Sequence, residues 1–185
     1  MIWVRHGPTH AKAMIGWTDL PADLSDRAAL VRLSALLPDA PVISSDLGRA
    51  VATADALQGA RPRLPHDPRL REIHFGTWEA RTHDEVAAVD PTPLRAFWED
   101  AGPTPAPGGE SWDDLSARIN AATDALQGHG TVIVVAHFGA ILAALQRALG
   151  VGVQQVFAHR IEPLSLTEIT RGPKGWHVGR INHLP

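Results

Sequence analysis

Thr131-Val132-Ile133-Val134-Val135-Ala136, followed directly by His137-Phe138-Gly139 and an Ala/Leu-rich run to Gly150, decides the reading of this chain. The first six residues form a continuous apolar, largely β-branched stretch of the kind buried on both faces of a parallel sheet. His137 to Leu149 has the length and composition of a helix, and Gly150 is placed to close it. The window from Thr131 to Gly150 is the most apolar in the chain, yet it carries His137, Gln146 and Arg147 and breaks at Phe138-Gly139. It reads as strand then helix, not as a membrane span.

The same alternation extends in both directions. Upstream, Ile2–Val4 is a candidate strand and Ser25 to Leu37 a helix, with Ser25 as N-cap, Leu30, Leu33 and Leu37 on one face and Pro38 as the stop. Pro41-Val42-Ile43-Ser44 is the next strand, and Asp46 is placed to cap a helix running to about Gln58. Arg63–Pro65 is a weaker extended segment. Ser111 and Asp114 form a capping box for a helix to about Gln127, with Leu115, Ile119, Ala122 and Leu126 along one stripe. Leu164–Ile169 and Trp176–Ile181 read as a closing β-hairpin at the sheet edge.

Strands alternating with helices predict an α/β fold, a three-layer α/β/α sandwich on a mostly parallel central sheet. Between Gly76 and Gly109 the pattern is irregular, with five prolines and two short helical stretches, about Thr82–Val89 and Pro93–Asp100. That segment, about 76–110, reads as a small cap inserted in one domain spanning 1–185, because its flanks are too short to form separate cores.

Composition narrows the chemistry. The 185 residues contain 44% hydrophobic and 20% charged residues, ordinary globular usage, and a formal charge of −3. No basic excess points to nucleic acid or to an anionic membrane, so anion recognition is expected in a local pocket. Cysteine and tyrosine are both absent, which removes disulfides, thiolate metal sites and Cys or Tyr nucleophiles. The opening Met1-Ile2-Trp3-Val4-Arg5-His6-Gly7 lacks the pattern of a secretory leader, and a cytoplasmic location is the default expectation.

Two residues break helix electrostatics. Arg49 falls in the first turn of its helix, where the positive end of the macrodipole disfavours a cation by roughly 0.3–1 kcal/mol. His137 lies where the most buried strand meets a helix N-terminus, with Gly139 allowing close backbone approach. Arg5 and His6 also end a strand, and ligands of open α/β sheets bind outside the carboxyl ends of strands. Singly, each has an ordinary explanation: a hydrogen-bonded structural His, or a solvated Arg. Together, Arg5, His6, Arg49 and His137 on one sheet edge make an anion pocket in a chain of negative net charge, and burying them without an anion would be costly. No P-loop, dinucleotide, serine-elbow or zincin motif occurs, and the histidines lack metal-ligand spacing.

Arg5-His6-Gly7-Pro8-Thr9 resembles the R-H-G-x-T signature of the histidine phosphatase superfamily, the phosphoglycerate-mutase-like proteins. Further blocks agree in order: Ser44-Ser45-Asp46-Leu47-Gly48-Arg49-Ala50 with Thr53-Ala54, Leu70 to Gly76, and Val134 to Gly139. Pro107-Gly108-Gly109-Glu110-Ser111, with Asp114 and Arg118, is similar to the P-x-G-E-S segment. The resemblance covers about the whole chain. It implies His6 as the nucleophile that takes the phosphoryl group, Arg5, Arg49 and a protonated His137 as the phosphate clamp, and Glu72 as proton donor to the leaving oxygen. A neutral imidazole attacks phosphorus without first losing a proton, provided an acceptor such as a backbone carbonyl holds its other nitrogen as N–H. The implied activity is a phosphoric monoester hydrolase of the histidine acid type, needing no metal or cofactor and acting on a small-molecule phosphomonoester.

Departures from the pattern bear on the activity. Ile73 follows Glu72 where the mutase branch has Arg, and Glu99-Asp100 follows Trp98 where that branch has an Arg pair, so a phosphatase is favoured over a cofactor-dependent phosphoglycerate mutase. A phosphate-binding module without turnover is the other alternative, and the presence of Glu72 speaks against it. Lys12 stands where an Asn is usual, as a candidate phosphate contact or a solvated surface residue. Glu72 could instead pair with Arg69 or Arg71. Trp17, Trp78, Trp98 and Trp112 are candidates either to line a pocket for a ring or to pack the cap. The physiological substrate and the oligomeric state are not legible.

Overall fold

Parallel pairing sets the frame. In the computed structural model, which describes residues 1–185, β1 (Ile2–Arg5), β2 (Val42–Ser44) and β3 (Ile133–Ala136) run in one direction, with β3 between the other two. β4 (Leu166–Gly172) joins the far side of β1 antiparallel, and β5 (Gly175–Val178) pairs antiparallel with β4, giving the order β2-β3-β1-β4-β5. In chain order the helices are α1 (Arg27–Leu36), α2 (Gly48–Gln58), α3 (His83–Val89), α4 (Pro91–Glu99), α5 (Trp112–Leu126), α6 (Phe138–Leu149) and α7 (Val153–Val156).

Side-chain alternation along the strands divides the interior in two. Val4, Val42, Ile133 and Val135 pack with Leu30 and Leu33 of α1 and with Ala50, Ala54 and Leu57 of α2. Trp3, Val134 and Ala136 point the other way, onto Leu115 and Ile119 of α5 and Ile141 and Leu145 of α6. The expected three layers are present. Trp78, Val86, Leu94 and Phe97, from the 76–110 segment, belong to the second cluster, so this segment is packed on the α5/α6 face. Each wholly buried aliphatic side chain there contributes about 1.5–3 kcal/mol of burial, and truncating Ile141 or Leu145 to Ala would cost roughly 2–5 kcal/mol.

Several local expectations need correction. α1 begins one residue late: Asp26, not Ser25, accepts from the Ala29 N–H at 2.9 Å, while the Ser25 N–H is bound to Asp23. Asp46 does not cap α2, because its carboxylate is engaged by Arg71 at 2.7 and 2.5 Å. The free N–H groups at the start of α2 are met instead by Ser45 Oγ on Leu47 and by the Asp19 carboxylate on Gly48. α4 begins at Pro91 rather than Pro93, the ring occupying the first turn, where no N–H is needed. The terminal hairpin is tighter than expected, its ladder continuing to Gly172 opposite Gly175. The Ser111/Asp114 capping box stands as expected, as does the helix closure by Gly150, which has φ +66°.

Candidate active site

Register alone brings three sequence-distant segments together. Arg5 pairs with Ala136 and Ser44 with Val135, so the chain leaves β1, β2 and β3 side by side at their carboxyl ends. The His6 N–H donates to the Ala136 carbonyl at 3.0 Å, which fixes His6 next to His137. Their rings lie 5.0 Å apart, tilted by 59°.

His6 has its two ring nitrogens in different surroundings. Nδ1 lies 2.6 Å from the Gly7 carbonyl oxygen, which can only accept, so Nδ1 carries the proton. The Arg49 Nε–H points at His6 Nε2 from 3.3 Å and can only donate, so the lone pair is on Nε2. The backbone carbonyl expected to orient the ring is that of the next residue. Burial pushes the His6 imidazole down to about 3, the Gly7 carbonyl opposing the shift and the Arg49 and Arg5 charges adding to it. His6 is therefore a neutral base at neutral pH.

Arg49 is wholly buried, with its position set by backbone. NH1 and NH2 donate to the carbonyls of Thr18 and Gly16 at 2.9 and 2.6 Å, leaving Nε–H facing His6. Asp19 approaches NH1 only to 4.0 Å and is half exposed, so it offsets the cation in part. Arg5 donates to the Ile161 carbonyl at 2.6 Å and lies over the Phe138 ring at 5.4 Å. Burial lowers the pKa of both guanidinium groups, and Glu72 is the largest opposing charge for each.

Glu72 is not in the ion pair that was its ordinary alternative, since Arg71 is taken by Asp46 and Arg69 by Asp67. Its carboxylate accepts from the N–H groups of Ile73 at 2.8 Å and Gly139 at 3.0 Å. Gly139 is required here, because a Cβ would sit 2.3 Å from Glu72 Oε1. The Glu72 carbonyl is held in turn by Arg118 at 2.7 Å and by the Trp17 indole at 2.9 Å.

His137 is wholly buried, and neither ring nitrogen has a hydrogen-bond partner. Burial drives its pKa well below 6.5, with His6, Arg49, Arg118 and Arg5 acting in the same direction. In the free protein the ring is therefore neutral, because burial and the guanidinium groups of Arg49, Arg118 and Arg5 disfavour a further charge; the protonated His137 expected from the sequence belongs to the phosphate-bound state. Arg5, His6, Arg49, Glu72 and His137 come together. Lys12 does not join them; it is exposed on the loop between β1 and α1.

Two supports had no role assigned from the sequence. Glu79 accepts from the N–H groups of Gly16, Trp17, Thr18 and Phe75 and from the Thr18 hydroxyl, so one carboxylate shapes the loop whose carbonyls hold Arg49. Arg118 forms a double hydrogen bond with Glu110 and donates to the carbonyls of Arg69, Arg71 and Glu72. Glu110 and Arg118 were visible only as part of a recurring segment; nothing marked Glu79, whose partners are mostly backbone. Trp78 is wholly buried edge-on to Phe97, and Trp17 stacks on His74 and under Arg71, so of the four tryptophans Trp98 and Trp112 line the cavity next to Glu72. No group of three or more His, Asp or Glu side chains is arranged to hold a metal ion, and no helix is long and apolar enough to cross a membrane.

Comparison with known proteins gives the same direction. The sequence profile of the histidine phosphatase superfamily (branch 1) matches residues 1–184. Glucosyl-3-phosphoglycerate phosphatase of Mycolicibacterium vanbaalenii is 38% identical over 167 residues, covering 80% of this chain and 73% of that protein. Adenosylcobalamin/alpha-ribazole phosphatase of Salmonella typhimurium is 29% identical over 172 residues, covering 87% of this chain and 85% of that protein. Among solved structures, Bacillus stearothermophilus YhfR superposes with a TM-score of 0.86 at 28% identity, over 100% of this chain and 96% of that one.

Proposed function

The chain belongs to branch 1 of the histidine phosphatase superfamily, and on that footing we propose that it hydrolyses a small-molecule phosphomonoester through a phosphohistidine on His6, without a metal. The observation that carries this is the tautomer of His6. Gly7 holds the proton on Nδ1, and the lone pair on Nε2 faces the buried cations.

In the first step Nε2 of His6 attacks phosphorus, the P–O bond to the alcohol breaks, and the Glu72 carboxyl gives its proton to the departing oxygen. In the second, a water molecule gives a proton to the Glu72 carboxylate and its oxygen attacks phosphorus. The P–N bond then breaks and inorganic phosphate leaves. Arg5 and Arg49 hold the equatorial oxygens, where charge is redistributed as the bonds change. His137, neutral in the free protein, gives a ring N–H to the phosphoryl group, which supplies the partner its nitrogens lack. Two fixed guanidinium groups provide the positive charge that a metal would otherwise supply.

The acid-type label belongs to the same proposal. With the His6 pKa near 3, the nucleophile stays unprotonated well into the acid range, so catalysis is expected to persist at pH 5. A formal charge of −3, with cations gathered in one pocket, supports a small-molecule partner over nucleic acid, and we extend the reading to a cytoplasmic setting. Hydrolysis is favoured over phosphoryl transfer to a second phosphorylated sugar acid, because Ile73 and the acidic pair Glu99-Asp100 give such a partner no cation. The test is release of phosphate from p-nitrophenyl phosphate in the presence of a chelator. Activity is expected in the wild type and absent in His6→Ala; full activity in His6→Ala would overturn the proposal.

A further inference from the structure

Beside Glu72 opens a pocket of about 290 Å³, at the small end of the ~300–1,000 Å³ usual for small-molecule sites. Its wall is built of rings: Phe75, Phe97, Trp98, Trp112, Phe138 and Phe157. They come from five places in the chain, so no single sequence stretch announces them. Phe97 meets Trp98 edge-on at 5.0 Å and Trp112 meets Phe157 edge-on at 4.7 Å, contacts that fix the rings against each other. The Trp112 indole N–H is turned onto Gln146 at 2.7 Å. Glu72 is the one ionisable group in the lining, and no Lys, Arg or His faces the space.

We propose that this pocket takes the leaving alcohol, and that the substrate is the monophosphate of an apolar, ring-sized alcohol, in contrast to the glucosyl glycerate ester in the name of the mycobacterial relative. The inference rests on the hydrolase reading above. In-line displacement by His6 sends the leaving oxygen to the side of Glu72, and the pocket begins at Glu72. A second phosphate or a carboxylate placed there would lose its hydration and meet no cation. A sugar would bury hydroxyls against ring faces that offer no partner. An apolar ring loses nothing and gains edge and face contacts. Arg5, lying over Phe138 at 5.4 Å, marks the boundary between the cationic phosphate site and the apolar wall.

The experiment compares kcat/KM for primary alkyl esters of similar leaving-group basicity: phenethyl phosphate, ethyl phosphate, glycerol phosphate and 3-phosphoglycerate, with p-nitrophenyl phosphate as a reporter of hydrolysis itself. Phenethyl phosphate is expected to exceed ethyl phosphate and 3-phosphoglycerate by about tenfold or more, the effect of burying one ring. In Trp98→Ala, at a position already 40% exposed, the phenethyl-to-ethyl ratio is expected to fall toward unity, and Ala101→Asp, which puts a carboxylate in the lining, should lower it likewise. A wild-type ratio near unity, a preference for 3-phosphoglycerate, or a ratio that survives both substitutions would overturn the proposal. If p-nitrophenyl phosphate is hydrolysed but the esters are not ranked by ring size, this inference alone falls; if no ester is hydrolysed, the hydrolase reading falls with it.

Discussion

The Gly139 N–H donates to Glu72 Oε2 at 3.0 Å, so the N-terminus of α6 holds a carboxylate from 67 positions earlier in the chain. The bond ties Glu72 to the helix N-terminus that directly follows His137, and it exists because residue 139 has no side chain. A Cβ there would meet Glu72 Oε1 at 2.3 Å and Leu115 at 3.3 Å. Gly139→Ala is therefore expected to displace the Glu72 carboxyl. For alkyl phosphates, whose leaving oxygen needs a proton, kcat should drop by about 10²-fold. For p-nitrophenyl phosphate, whose leaving group departs as the anion, the loss should be several-fold smaller. Equal losses on both substrates would show that Glu72 acts in another way.

Glu79 touches none of the reacting groups, yet its carboxylate gathers five donors and shapes the carbonyls of Gly16 and Thr18 that hold Arg49. Replacing it by Ala leaves those donors in a half-buried loop. A loss of about 1–3 kcal/mol in stability is expected by chemical denaturation. With Arg49 loosened, KM for a phosphomonoester should rise about tenfold or more, the weight of one charge-assisted hydrogen bond, while Glu79→Gln, which keeps an acceptor, should fall between. An unchanged KM in Glu79→Ala would mean that Arg49 is held without the loop.

Stability should carry the signature of the buried imidazoles. The folded His6 titrates near 3, whereas an unfolded His titrates near 6.5, so between those values the unfolded chain binds a proton that the folded one refuses. Stability from this source is full above about pH 6.5, falls as the pH drops through that window and levels off below about 3. His137 is shifted in the same direction by burial. Thermal unfolding of the wild type between pH 7 and 5 is expected to show a falling Tm, and His6→Gln, which removes one of the two groups, a shallower fall. Parallel slopes would contradict a neutral His6 in the folded protein.

Inorganic phosphate should act on the same balance. An anion among Arg5, Arg49 and the two imidazoles offsets the cost of burying cations, and binding to the folded state alone raises Tm with concentration. Millimolar phosphate is expected to raise Tm more for the wild type than for Arg49→Met, which lacks one of the two guanidinium groups of the pocket. Equal shifts in both proteins would place the phosphate elsewhere.

The residues of the site were legible in the sequence where local rules alone put them at strand ends. Arg5-His6 and His137 adjoin short apolar strands, and parallel register does the rest. Arg49 stood out as a cation in a first turn. What could not be read depends on contacts between distant segments. Asp46 looked like a helix cap until Arg71, 25 positions later, took its carboxylate. Nothing in the sequence marked Glu79, since its partners are mostly backbone N–H groups that carry no residue identity. The charge of His137 in the free protein could not be read either, because burial and the neighbouring guanidinium groups, not residue type, set it. The apolar pocket escaped because its rings are spread from Phe75 to Phe157, and four tryptophans drew attention of which two belong elsewhere.

The most direct measurement is rapid acid-free quenching of the enzyme during turnover of a ³²P-labelled monoester, followed by peptide mapping. Label on a peptide containing His6, stable to alkali, lost in acid and absent from His6→Ala, is the expected result, since a phosphoramidate on a ring nitrogen has that stability. Turnover at full rate with no labelled protein at any quench time, or label that persists in His6→Ala, would contradict covalent transfer through His6.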